Sequence, residues 1–91
     1  MRNVTAITLQ PDVPMMLNGR LTLLVTELVE KWLTADCRQV RRTKILLITR
    51  HRQQEIVLTP HDPRASWRNY DFWYLGGWGS EVRLSITRKR A

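Results

Sequence analysis

The chain has 91 residues, 43% of them hydrophobic and 25% charged, with a net charge of +7. That length allows one domain with one core, and that much apolar content argues against disorder throughout. A single cysteine, Cys37, excludes an internal disulfide and a cysteine metal cluster, and no apolar run is long enough for a leader or a membrane-spanning helix. The expectation is a cytoplasmic protein with no metal and no other cofactor.

Residues 3–9 read as a strand rich in β-branched side chains, with Ile7 and Leu9 on one face and Val4 and Ala6 on the other. Pro11 and Pro14 end it. Asp12 suits a helix N-cap, and Pro14 suits the first helical turn. Over 14–34, Leu17, Leu21, Leu24, Val25, Leu28, Val29, Trp32 and Leu33 recur at steps of three and four. This spacing predicts a long amphipathic helix that buries Leu21, Leu24, Leu28 and Trp32 against a sheet.

Residues 38–42 form a basic connector. Residues 43–49 follow as a central strand through Ile45, Leu46, Leu47 and Ile48, and 55–59 as another, joined by a polar turn of four or five residues. Pro60 and Pro63 close the second strand. Residues 71–75 are a short aromatic strand. Gly76, Gly77 and Gly79 make a turn around Trp78, which is expected to be exposed at the hairpin tip. Over 81–87 the residues alternate, with Val82, Leu84 and Ile86 inward and Arg83, Ser85 and Thr87 outward. The sum is an α+β domain over 1–87, in the order β-α-β-β-(β)-β, with a basic tail at 88–91. One long helix packs on an antiparallel sheet. The other sheet face is left uncovered and offers a route to a homodimer.

Twelve of the fifteen basic residues are arginine. Arginine grips phosphates and carboxylates with paired N–H donors and stacks on aromatic rings. Between positions 38 and 54 lie Arg38, Arg41, Arg42, Lys44, Arg50 and Arg52, with no acid among them. Arg83, Arg88, Lys89 and Arg90 form a second group. Both are candidate phosphate contacts for nucleic acid. Between Asp62 and Trp78 lie six of the seven aromatics. Arg64, Trp67, Arg68, Tyr70, Trp73, Tyr74 and Trp78 are the candidate partner-binding residues, able to stack on bases or to form a protein hot spot.

His51 and His61 are the only histidines, and no carboxylate stands at a spacing that would orient either as a catalytic base. There is no phosphate-binding glycine loop and no zinc spacing. The reading is a small non-enzymatic binding module, nucleic-acid-binding or nucleoprotein-associated. One alternative is a protein-binding modulator or inhibitor, of the phage- or plasmid-accessory type. It would dock its Trp/Tyr/Arg patch on a larger protein with an acidic surface. A second alternative is a basic endoribonuclease-type toxin that depends on the histidines.

Overall fold

Valine, isoleucine, threonine and leucine fill the segments between turns, and every regular element of the described chain is a β-strand. The computed structural model describes residues 3–17, 19–33, 38–77 and 79–88. Its strands are β1 (Asn3–Leu9), β2 (Met15–Leu17), β3 (Leu21–Leu33), β4 (Arg38–Ile48), β5 (Gln53–Leu58), β6 (Arg64–Trp67), β7 (Tyr70–Gly76) and β8 (Val82–Arg88). They form two four-stranded antiparallel sheets, ordered β1-β8-β7-β6 and β2-β3-β4-β5. The fold is all-β, and the expected α+β architecture is overturned.

The helix expected over 14–34 is instead β2, a turn and β3. Two features account for the difference. Asn18-Gly19 is a strong hairpin signal, and Gly19 adopts φ 67° in the turn, where the Arg20 N–H donates to the Leu17 carbonyl at 3.3 Å. The second feature is a β-bulge between Val25 and Glu27, opposite Ile45 and Lys44. Before it, Leu21, Leu23 and Val25 face the core. After it the parity flips, and Leu28 packs inward. Leu21, Val25 and Leu28 are thus four and three apart, as on a helix, while lying on one face of a strand. Leu24 points to the opposite face. Trp32 lies in β3 opposite Gln39, and its side chain is outside what the structure describes.

The expected connector at 38–42 is also a strand, the first half of β4. β4 pairs with β3 throughout, but β5 reaches only Thr43–Ile48 of it. Beyond that the two strands run on as a ribbon. At about 3.4 Å per residue, the 13 residues of β3 span about 44 Å, and the molecule's longest dimension is 45 Å.

The core lies between the sheets. Leu9, Phe72, Tyr74, Val82, Leu84 and Ile86 enter from the first sheet, and Leu21, Leu23, Val25, Ile45, Leu47, Ile56 and Leu58 from the second. Strands expected over 3–9, 55–59, 71–75 and 81–87 are present; Val82, Leu84 and Ile86 face inward as read, and Ile7 and Leu9 share the inward face of β1. The polar turn, expected at four or five residues, has four, 49–52, closed by the Thr49 N–H on the Arg52 carbonyl at 2.8 Å. Strand β6 was not anticipated. Among the described residues no helix is long and apolar enough to cross a membrane.

Candidate functional site

At one end of the sandwich three turns converge with the last residue of β8. The β2–β3 turn brings Gly19 and Arg20, the β4–β5 turn brings Arg50 and His51, and the β6–β7 turn brings Arg68 and Asn69. Arg88 closes the fourth side. Together they surround a cleft of about 770 Å³, with Trp67 and Tyr70 on its wall. No Asp or Glu lines it among the described residues. Four arginines from four separate chain segments therefore line one concavity. That arrangement concentrates positive potential, because the low-dielectric wall focuses the field.

Trp67 and Tyr70 are half-buried and lean on the core as well as on the cleft. Tyr70 stacks on Phe72 with ring centroids 6.2 Å apart, so its position is tied to the sandwich interior. Trp67 lies opposite Tyr70, which leaves only Arg68 and Asn69 to turn the chain. Arg68 adopts φ 53° there. A non-glycine residue in the left-handed region costs of order 1–2 kcal/mol. Its guanidinium carbon sits 4.8 Å from the Trp67 ring centroid, a cation–π contact. The turn holds an arginine where a glycine would be relaxed, and points it along the aromatic wall.

The remaining candidate residues lie elsewhere in the fold. Arg41 is 5% exposed. Its Nη2 donates to the carbonyls of Gly79 and Glu81 at 2.9 and 3.0 Å, so its guanidinium clamps the loop after β7 and is not a surface contact. Tyr74 is 7% exposed and belongs to the core. Lys44 pairs with Glu27 at 3.1 Å, an acid 17 positions away in sequence across the β3–β4 ladder. Arg83 lies 3.6 Å from the Glu81 carboxylate. Arg42 and Arg52 are exposed outside the cleft. Arg38 lies in β4 opposite Leu33, in the ribbon. Trp78, with the exposure expected of it, Lys89 and Arg90 fall outside the described residues. Arg88, read as the start of a tail, is the end of β8.

Arg64 and Trp73 form a second pair, on the outer face of the first sheet. The guanidinium stands 5.2 Å from the indole centroid. Trp73 is 45% exposed and Leu75, on the same face, 53%. Beside them Ser66 donates to the Asp71 carboxylate.

Arg20 and Asn69 had no part in the sequence reading. The helical spacing over 14–34 spans Arg20, and the signal that places it at a turn is the Asn18-Gly19 pair before it. His51 lines the cleft without a carboxylate beside it, and no group of His, Cys, Asp and Glu among the described residues could hold a metal ion. No known protein family, curated protein or solved structure matches the chain.

Proposed function

We propose that the chain is a non-enzymatic module that binds single-stranded nucleic acid in the arginine–aromatic cleft. The observation that carries this reading is the convergence of Arg20, Arg50, Arg68 and Arg88 on a concavity walled by Trp67 and Tyr70, with no Asp or Glu lining it among the described residues. Arginines neutralise phosphates, and an aromatic wall accepts an unstacked base. Duplex DNA is read by convex elements that enter its grooves. A concave site of this size suits a few exposed nucleotides.

Titration of Trp fluorescence with a single-stranded oligonucleotide and with a matched hairpin duplex, over a salt series, tests the proposal. The single strand should bind more tightly, with log affinity falling linearly in log salt. Replacing Arg50 and Arg88 by Ala should flatten that slope by about 1.4, at about 0.7 per phosphate contact on a single strand. Arg42→Ala, outside the cleft, serves as the control and should not change it. Absence of binding at low salt, or equal losses from Arg42→Ala, overturns the reading.

A second reading has its own observation. Arg64, Trp73 and Leu75 present an exposed aromatic–basic patch on the outer face of the first sheet. Such residues dominate protein hot spots. A protein-binding modulator would dock there, and Trp73→Ala would abolish capture of its partner while leaving oligonucleotide binding intact.

A further inference from the structure

Sheet edges are where chains pair with other chains, and proteins guard them with charge, proline, bulges or short strands. Three of the four edges here are guarded. β2 is three residues long and follows Pro14. β5 and β6 lie beside each other, flanked by Pro60 and Pro63, and carry Glu55 and Arg64. β1 is the exception. It runs for seven residues at the end of its sheet, paired only to β8, with no bulge and no proline. It carries no charged side chain, although the whole chain holds 15 basic and 8 acidic residues.

The interior beside β1 is also incompletely covered. Thr5 stands opposite the buried Ile86 and so faces inward by register, yet it is exposed. Ile7 on the same side is only half-buried. On the outer side, Val4 is 63% exposed.

We infer that β1 pairs antiparallel with β1 of a second copy of this chain, which joins two four-stranded sheets into one continuous sheet across a two-fold axis. The occupant follows from the edge itself. An isologous contact requires a self-complementary strand. Pairing all of 3–9 on itself puts Ala6 opposite Ala6 of the second copy, at the axis. Val4 then lies opposite Thr8 and Thr5 opposite Ile7, with Asn3 opposite Leu9 at the ends, so β-branched side chains meet on both faces beside the axis. In a molecule of net charge +7 this neutral edge is a place where two copies can meet without opposing cations. The contact uses none of the cleft residues, so it stands or falls separately from nucleic-acid binding.

Analytical ultracentrifugation of the wild-type chain over a dilution series should show a monomer–dimer equilibrium. Ala6→Lys places two ammonium groups face to face at the axis and should give a monomer with an unchanged circular dichroism spectrum. Ala6→Cys in a Cys37→Ser background should form a dimer-sized disulfide on mild oxidation. Directly opposed Cα atoms on antiparallel strands stand about 4.5–5.5 Å apart, within the about 4.4–6.8 Å that a disulfide spans between Cα atoms. If Ala6→Lys does not fold, the cross-link decides. A wild-type monomer at every concentration, a dimer that persists in folded Ala6→Lys, or no cross-link through Cys at position 6 overturns the inference. A monomer that gains strand signal with an added extended peptide would assign the edge to a foreign strand instead.

Discussion

The Arg41 guanidinium donates to the main-chain carbonyls of Gly79 and Glu81, binding β4 to a loop some 40 residues further along the chain. It is the inward-facing cation at the base of the β3–β4 ribbon, while Arg42, the next residue, faces solvent. Arg41→Ala should therefore destabilise the fold by about 2–3 kcal/mol, the scale of losing hydrogen bonds from a charged group to partly buried acceptors. Arg42→Ala should stay within about 0.5 kcal/mol. Urea titrations of the two variants check this, and equal midpoints would contradict the clamp.

Gly77 is packed against the same clamp. At φ 159°, a Cβ there would meet the Glu81 carbonyl oxygen and stand 2.8 Å from Arg41 Nη1. Backbone cannot yield as a side-chain tip can. Gly77→Ala should cost more than about 1 kcal/mol, or a melting temperature lower by at least about 4 °C in a domain of this size. Gly79→Ala adds a Cβ that meets nothing within 4 Å, and bears only the φ penalty. The ordering of the two melts is the measurement.

β3 offers a direct test of strand against helix. Leu23 is fully buried and its neighbour Leu24 points to the other face of the same sheet. Leu23→Ala should cost about 2–5 kcal/mol, as deletion of a buried leucine side chain does. Leu24→Thr should cost well under that, because a β-branched residue fits a half-exposed strand position. On a helix, Leu24 would have been the costly site. Thermal unfolding of both variants distinguishes the two geometries.

Arg68 combines backbone strain with cleft chemistry. Arg68→Gly relieves the left-handed backbone but loses the contact with Trp67 and adds chain entropy to the unfolded state, so stability should move by less than about 1 kcal/mol. Arg68→Val puts a β-branched residue at φ 53° and should destabilise by more than that. Both should weaken oligonucleotide binding. A loss of affinity in the stable glycine variant separates recognition from folding, and unchanged affinity would remove Arg68 from the site.

Much of the strand content was legible from residues alone. β1, β5, β7 and β8 follow from local alternation and β-branched composition, and the inward set Val82, Leu84 and Ile86 follows from a period of two. The overall basicity and its bias toward arginine are properties of composition. What the sequence by itself could not decide is anything that depends on which strands meet. The bulge after Val25 turned a period of two into a false helical spacing, and only pairing with β4 reveals it, since a bulge exists relative to a partner strand. Lys44 looked uncompensated until β3 brought Glu27 alongside. Arg41 and Tyr74 carry side chains typical of binding surfaces, but the register of β4 and β7 turned them inward. The cleft is the clearest case. Arg20, Arg50, Arg68 and Arg88 are dispersed over some 70 positions, and they meet because consecutive antiparallel strands return every second turn to the same end of the sandwich.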